Sequence, residues 1–193
     1  MNQICFLIIN FLLYFNFFEL TNCDPIYEIV DYSNFLPMVR IDLINKSLKI
    51  LPGRGFVDVL KMCIEMNRLK ESYEMNDAEG AFLVYQWITN NINIKCNAKE
   101  ESSVYIFDSG EGSVYEISSL FIKMVSHLNI SSGTIRGYTR NYDQRTLLPT
   151  EPYNWRWNYI LINDTYYLVD VSYGIGECLG DNTRFLRNNF FLE

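Results

Sequence analysis

Residues 154–174 constrain the fold of this chain most, because their pattern predicts two paired strands and the turn that joins them. Trp157 and Asn158 fall on opposite sides of an alternation that is typical of a half-buried strand. Asn163 and Asp164 can adopt the positive φ angles of a two-residue hairpin turn. The sequence therefore predicts a β-hairpin near the end of the chain.

A carboxylate, Asp170, ends the return strand where the pattern would place a hydrophobic residue. An acid before a Ser-Tyr-Gly turn is typical of a cap that accepts hydrogen bonds from backbone N–H groups. The alternative is a group that orients a catalytic partner, and the hairpin alone leaves both interpretations open.

Composition limits the classes of protein to which the chain can belong. With 193 residues, 49% of them hydrophobic, the chain is long enough for one domain with a sizeable core and is too apolar for a disordered protein. Its net charge is −7 and its basic residues are scattered, which argues against a nucleic-acid partner. A single His and the absence of a CxxC pair give no zinc spacing, so we expect neither a metal nor a cofactor.

Residues 1–22 are predicted to be a signal peptide. The apolar run 4–18 is too short to span a bilayer comfortably, although no Lys or Arg precedes it. Cleavage is expected near Asn22 or Cys23, and a bacterial lipoprotein signal fits less well because of Asn22. Secretion, or residence in the lumen of the secretory pathway, follows; the alternative is a retained segment that anchors the chain to a membrane.

Three Asn-x-Ser/Thr sequons support the secretory route, at Asn45, Asn129 and Asn163. Four cysteines lie outside the apolar run, and they are Cys23, Cys63, Cys96 and Cys178. One disulfide is expected in an oxidising compartment, but the spacing leaves its pairing open.

The first half of the chain contains two predicted helices. Residues 23–54 show little periodicity and are expected to be irregular and partly extended. Apolar residues, Leu60 and Ile64 among them, then recur at helical spacing over 56–70. A second helix is predicted from the N-cap Asn76 to Asn91. We interpret Trp87 of the second helix as a core residue.

A third helix follows a polar loop predicted over 96–111, whose Asp108 and Glu111 could form a hydrolytic carboxylate pair but are more typical of solvated acids. Ser113 can cap this helix, and Glu116 completes a capping box. A wide apolar face makes the helix central, and its members are Ile117, Leu120, Phe121, Met124, Val125 and Leu128. A strand over 134–142 then precedes the hairpin.

Five local motifs, taken in chain order, resemble one family. They are AFLVYQWITNNINI at 81–94, GEGSVYEISSLF at 110–121, the strand 135–142, the Trp-Asn pair at 157–158 and YYLVDVSYG at 166–174. The set is similar to the transglutaminase-like superfamily, and its kyphoscoliosis-peptidase-like proteins resemble the chain most.

That resemblance implies an α+β, papain-like core in which N-terminal helices and a central helix pack on an antiparallel sheet. It covers residues 55–193. The domain of the family continues slightly further, which would make Glu193 a truncated end.

The family uses a Cys nucleophile at the start of the central helix, and the resemblance places Val114 there when Leu120-Phe121 anchor the alignment. A valine side chain has no group that can attack a carbonyl. Sliding the alignment by one residue places Ser113 at the nucleophile position instead. Its hydroxyl is expected to have no base beside it.

The base and the orienting acid of the family fall on the hairpin. Anchored on Trp157-Asn158, the His of the family corresponds to Trp155, and its Asp corresponds to Asp170. Of the triad only the acid is kept. We predict that Trp155 fills the former groove, and that Asp170 accepts a hydrogen bond from the Trp155 indole or from Ser172.

No other residue of the chain supplies the missing base. His127 is the only His, and it lies thirteen residues beyond Val114, or about 20 Å along the helix. We expect it to be solvated near the helix C-terminus. Cys96 and Cys178 have no base near them in sequence, and Cys178 is expected to be structural.

Two functions remain open. The first is a secreted pseudoenzyme that binds a protein or a surface ligand, for which its aromatic residues Tyr138, Tyr142, Tyr153, Trp155 and Trp157 are suited. The second is a cysteine peptidase or transamidase with a degenerate or rearranged active site.

Overall fold

The computed structural model describes residues 35–53, 58–95, 103–137, 155–179 and 182–184. A 3₁₀ turn at Leu36–Met38 precedes six helices in this part of the chain: α1 Ile41–Ile50, α2 Val59–Ser72, α3 Asp77–Asn91, α4 Ser103–Ser109, α5 Val114–His127 and α6 Val171–Ile175. The strands are β1 Asn93–Ile94, β2 Glu111–Gly112, β3 Ser132–Gly137, β4 Trp155–Ile162, β5 Thr165–Val169, β6 Glu177–Leu179 and β7 Asn182–Arg184.

Helix α5 is central, as its apolar face predicts. Its six predicted core residues are fully buried: Ile117, Leu120, Phe121, Met124, Val125 and Leu128. Burying a side chain of this size contributes about 1.5–3 kcal/mol, so the face fixes α5 against its neighbours. Those neighbours are α2, α3, α4 and α6 together with strands β2, β3 and β4.

The main sheet has the order β3-β4-β5, and both strand pairs are antiparallel. Asn163 and Asp164 form the turn between β4 and β5 with φ angles of 50° and 63°, which confirms the predicted hairpin. Its core side carries Asn158, Ile160 and Ile162, all buried. With helices against an antiparallel sheet, the α+β class is confirmed, and within the described ranges no helix has the length and apolarity needed to span a membrane.

Helix α3 lies deep in the core and confirms the second predicted helix. Asn76 caps it in a capping box with Glu79, and the helix ends at Asn91. Trp87 is a core residue, as interpreted: its ring stacks on Phe107 with centroids 5.2 Å apart, and its Nε1 donates to the carbonyl of Pro52 at 3.3 Å.

The sequence prediction for α2 was right about the helix and partly wrong about its buried face. Leu60 and Ile64 are 52% and 56% exposed, although both belonged to the expected apolar stripe. The buried face consists of Val59, Met62, Cys63, Met66 and Leu69. The contacts of α2 with α3 and α5 select this face.

Two segments expected to be irregular are helical. Residues 41–50 form α1, although 23–54 was expected to be partly extended. The buried side of α1 includes Ile44, and the helix packs on α3. Residues 103–109 form α4, inside the predicted polar loop 96–111, because Ile106 and Phe107 are buried in the core.

Candidate functional site

The candidate site begins at the N-terminus of α5, where Ser113 and Glu116 form the predicted capping box. The Oγ of Ser113 accepts from the Glu116 amide at 3.3 Å, and Oε2 of Glu116 accepts from the Ser113 amide at 2.7 Å. Both residues are buried. The box fixes the first turn of α5 and makes Val114 its first residue.

The expectation that the Ser113 hydroxyl has no base beside it is wrong. Its Oγ donates to Oε2 of Glu116 at 2.8 Å, so a carboxylate lies within hydrogen-bond reach. The same carboxylate oxygen accepts from the Ser113 backbone N–H, and Ser113 is only 6% exposed. The arrangement therefore caps a helix and gives an incoming substrate little access to the hydroxyl.

Helix α6 brings Asp170 close to the start of α5. Asp170 is the N-cap of α6, and its Oδ1 accepts from the Tyr173 amide at 2.9 Å, which confirms the capping interpretation. Ser172 is buried, and its hydroxyl donates to the carbonyl of Val114 at 3.3 Å. The expected bond from Ser172 to Asp170 is thus replaced by one that ties the two helix ends together.

Close packing explains why a glycine, Gly174, stands at the end of the last of the five motifs. A Cβ added at Gly174 would collide with the hydroxyl of Tyr85, so α6 can approach α3 this closely only without a side chain at that position. This close approach holds the turn after Asp170 against the core.

Strand β4 aligns its beginning with the first turns of α5. Nη1 of Arg156 donates to the carbonyl of Tyr115 at 3.3 Å and to Oγ of Ser119 at 3.1 Å. Nδ2 of Asn158 donates to the carbonyl and the hydroxyl of Ser118, at 3.1 and 2.9 Å. These bonds bring the backbone of residue 155 to the same end of the molecule as Val114.

The side chain of Trp155 lies outside the described residues, and so do Tyr138, Tyr142 and Tyr153. The predictions that Trp155 fills the groove and donates to Asp170 therefore stay predictions. Trp157 is described and is 8% exposed, which makes it a buried residue rather than part of an interaction surface.

The other titratable candidates have exposed side chains, although Glu111 stands only two positions before Ser113. His127 is exposed at the last position of α5, as expected. Asp108 and Glu111 are exposed as well, and Glu111 pairs with Lys95 at 3.6 Å. Within the described ranges, no group of three or more His, Cys, Asp and Glu side chains could hold a metal ion.

Cys63 on α2 is buried and is not part of a disulfide. Burial raises the pKa of its thiol to about 11, so very little thiolate exists at neutral pH. Cys23 and Cys96 lie outside the described residues, and of Cys178 only the backbone is described, in β6. The candidate disulfide therefore does not involve Cys63.

All three sequon asparagines are exposed. Asn129 and Asn163 lie in turns with positive φ angles of 58° and 50°, whereas Asn45 lies within α1. The hydroxyl of Ser47, which completes the first sequon, is buried and bonds to the carbonyl of Leu43 at 2.9 Å.

Comparison with known proteins identifies the scaffold. The family model described as the transglutaminase-like superfamily matches residues 67–171, which is more than half of the chain. No curated protein matches the chain. Among solved structures, the chain is similar to a "putative protease" from Parabacteroides distasonis, with 16% identity and a TM-score of 0.45 over 65% of this chain. The match covers 25% of that protein, so this chain spans about a quarter of its length.

Proposed function

Because the chain belongs to the transglutaminase-like superfamily, we propose that it is a catalytically inactive member that is secreted and acts by binding a protein or a surface ligand. The kyphoscoliosis-peptidase-like proteins are the proposed subgroup. The proposed domain spans 55–193, after a signal peptide at 1–22 and a leading segment at 23–54.

The start of α5 carries this proposal. The residue that begins the helix, next to the α6 turn with its kept acid, is Val114, whose side chain can neither attack a carbonyl nor hold a proton. The hydroxyl beside it, on Ser113, is engaged with Glu116. Triad chemistry needs a nucleophile and a base in contact, and neither Val114 nor Trp155 supplies one.

The only imidazole of the chain, on His127, lies too far from Val114 to act as the general base. His127 is exposed at the opposite end of α5, and thirteen residues of helix separate it from Val114 by about 20 Å. A general base must come within about 3 Å of the proton it removes, or act through one water. The same argument weakens the alternative function, a degenerate cysteine peptidase or transamidase.

The exposed sequons favour the secretory route. Asn129 and Asn163 are exposed in turns, and Asn45 is exposed on α1. Expression in a secreting eukaryotic cell, followed by digestion with a peptide N-glycosidase, tests this part. A mass decrease is expected, and it should be smaller by one glycan in each of the Asn129→Gln and Asn163→Gln variants.

Activity is tested with four proteins: the wild type, Val114→Cys, Trp155→His and the double variant. Each is incubated with a thiol-reactive active-site probe, with peptide substrates and with an amine donor. We expect no turnover from the wild type or from either single variant. The double variant should gain both probe labelling and hydrolysis, because Asp170 is still at the end of β5 to orient a restored His.

Two controls make the result specific. Asp170→Asn in the double-variant background should remove most of the gained hydrolysis, while probe labelling of the thiol introduced by Val114→Cys remains detectable. Turnover by the wild type that Ser113→Ala abolishes would overturn the proposal and establish the alternative, a rearranged catalytic site.

A further inference from the structure

A cleft opens between the segment that precedes α1, the start of α3 and the end of β4. Its volume is about 690 Å³, and clefts that hold small ligands commonly enclose about 300–1,000 Å³. Asn163, the asparagine of the third sequon, is one of the residues that line it, whereas Asn45 and Asn129 are not. A substituent on the Asn163 amide therefore begins at the edge of the cleft.

The hairpin turn leaves this sequon open to modification. Asn163 is exposed with a φ angle of 50°, and Thr165, which completes the sequon, is exposed at the first position of β5. In the secretory pathway a lipid-linked oligosaccharide diphosphate supplies the sugar. Nδ2 of Asn163 loses a proton and bonds to C1 of N-acetylglucosamine, and the diphosphate leaves that carbon.

The lining of the cleft combines apolar side chains with carboxylates. Pro37, Met38 and Ile162 supply the apolar surface, and Glu74 and Asp77 supply carboxylates. Asp77 accepts from Nζ of Lys70 at 2.8 Å, and a carboxylate has about four lone-pair sites, so it keeps capacity for a hydroxyl donor. A sugar residue, with its C–H face and its rim of hydroxyl and acetamide groups, suits such a lining.

Hydrogen bonds order the lining before any ligand enters. Nε of Arg40 donates to Oε1 of Glu79 at 2.6 Å, and Nδ2 of Asn76 donates to the carbonyl of Met38 at 2.8 Å. These bonds hold the segment before α1 against the start of α3. A cleft whose residues are already ordered loses less conformational entropy when a ligand fills it.

We propose that Asn163 carries an N-glycan whose first N-acetylglucosamine residue lies in this cleft, in contact with Met38 and Ile162. Its hydroxyl groups donate to the carboxylates of Glu74 and Asp77. Attachment gives the sugar an effective concentration in the millimolar range, so a weak contact is enough to keep the cleft filled. The proposal rests on the secretory route proposed above and gives one of its glycans a fixed position.

A sugar in the cleft links the β4–β5 turn to α3 and to the segment before α1. Because the unfolded chain has no cleft, this contact stabilises the folded state alone. It also shields the bond between Asn163 and the sugar from an enzyme that must surround that bond. Asn129 offers a contrast, since it is exposed in a turn with a φ angle of 58° and does not line the cleft.

Deglycosylation of the native protein, followed at each sequon, tests the proposal. The full chain is expressed in a secreting eukaryotic cell with uniform high-mannose glycans and treated with a peptide N-glycosidase, and mass spectrometry follows the conversion of each asparagine to aspartate. We expect release at Asn163 to be about five times slower than at Asn129, because the enzyme acts only on the fraction outside the cleft. After denaturation the two rates should be equal. Equal rates in the native protein, or a difference that persists after denaturation, would overturn the position in the cleft.

Met38→Ala tests whether the cleft itself causes the protection. The variant shortens an apolar side chain of the lining and keeps the backbone carbonyl that accepts from Asn76. Release at Asn163 should accelerate toward the rate at Asn129, which should not change. Ile64→Ala is the matched control, because Ile64 is 56% exposed on α2 and does not line the cleft, and it should alter neither rate. An unchanged rate at Asn163 in Met38→Ala would contradict the proposed contact.

The same mass spectra separate this proposal from the proposed function. Absence of glycans from Asn45, Asn129 and Asn163 together rejects the secretory route, and this proposal with it. A glycan on Asn163 that is released as fast as the one on Asn129 rejects the position in the cleft alone, and so does a glycan on Asn129 with none on Asn163.

Discussion

Helices α3 and α5 begin with the same motif and use it differently. In α3, Oδ1 of Asn76 accepts from the Glu79 amide at 2.9 Å, and the Glu79 carboxylate accepts from the Asn76 amide at 3.0 Å. In α5, Ser113 and Glu116 exchange the equivalent bonds. Both glutamates are buried, so each box places a carboxylate inside the protein.

The two boxes differ in the hydrogen bonds that their glutamate carboxylates accept from distant parts of the chain. Glu79 accepts from the backbone N–H of Arg40 at 3.0 Å, from its Nε at 2.6 Å and from its Nη2 at 2.8 Å. Arg40 also donates to the carbonyl of Glu74 at 3.0 Å. The α3 box is thus a clamp that fastens the segment before α1 to the core.

Under the proposed function, the α5 box lies instead at the position of the family's nucleophile. Beside it, the carbonyl of Val114 accepts the Ser172 hydroxyl. In α3 the capping box therefore holds a distant segment of the chain through Arg40. In α5, under the proposed function, the same motif orients the end of a helix that no longer carries a nucleophile. The comparison predicts that substitutions in the α3 box lower the free energy of unfolding more than substitutions in the α5 box do. Substitutions in the α5 box should lower it without changing peptide turnover.

The largest effect is expected from Glu79→Ala. This substitution removes the acceptor of the Arg40 side chain and of two backbone N–H groups, which should lower the free energy of unfolding by about 2–4 kcal/mol. Urea denaturation measures the loss. Glu65→Ala is the control, because its exposed pair with Arg68 should be worth less than about 1 kcal/mol. Equal losses in both variants would contradict the clamp.

The same carboxylate should make stability depend on pH. Burial alone would raise the pKa of Glu79, but hydrogen bonds from Arg40 and from Asn76 outweigh it, so its pKa lies below the ordinary value. The folded state then binds this proton more weakly than the unfolded chain does. The contribution of Glu79 is therefore present above the unfolded pKa and is lost as the pH falls through the folded pKa.

Unfolding of the wild type and of Glu79→Gln, followed from neutral to acidic pH, measures this dependence. The stability gap between the two proteins should be constant near neutral pH and should shrink in the acidic range. A gap that widens on acidification would show that the sign of the pKa shift is wrong.

The sequence predicted the α5 box and the N-cap Asn76 of the α3 box, but it predicted neither the part of Glu79 in that box nor its contacts with Arg40. Asn76 and Ser113 are N-cap residues with a glutamate three positions later, which is a local signal. The Arg40 clamp joins residues 39 positions apart, and no local pattern connects them. For the same reason α1 was missed: its N-cap is Arg40, which makes no side-chain cap bond.

The other errors in predicting the fold come from a helix that is too short to recognise and from a helix with apolar residues on two faces. Helix α4 has only seven residues, and a short apolar run does not distinguish a helix from a loop that packs on the core. In α2, Leu60 and Ile64 compete with Met62 and Met66 for the buried side, and only the position of α3 and α5 decides between them.

The site was located through the resemblance, and its contacts were not predictable. Val114 and Asp170 were found from their spacing to anchoring motifs, and the fold brings their segments together. The bond from Ser172 to the Val114 carbonyl spans 58 positions and depends on how α6 packs against α3 at Gly174. No sequence signal indicated this bond, so the hydroxyl was assigned to the nearest acid, Asp170.

A smaller loss of stability is expected from Asn76→Ala. The variant removes the N-cap of α3 and also the bond from Nδ2 to the carbonyl of Met38 at 2.8 Å. Since an N-cap is worth about 1 kcal/mol and a further exposed hydrogen bond adds less than that, we expect a loss of about 1–2 kcal/mol. A midpoint of urea unfolding unchanged from the wild type would contradict the tertiary role given to this box.

The smallest effect is expected from Ser113→Ala, and it decides what the α5 box is for. Losing the hydroxyl removes one cap bond and one bond to Glu116, while the Ser113 amide still donates to that carboxylate. The free energy of unfolding should fall by about 1 kcal/mol, as for an ordinary N-cap. Peptide turnover and probe labelling should stay at the level of the wild type. A variant that keeps its stability and loses a measurable activity would show that Ser113 is a nucleophile with Glu116 as its base. The two boxes would then differ in chemistry and not only in the contacts that their carboxylates make.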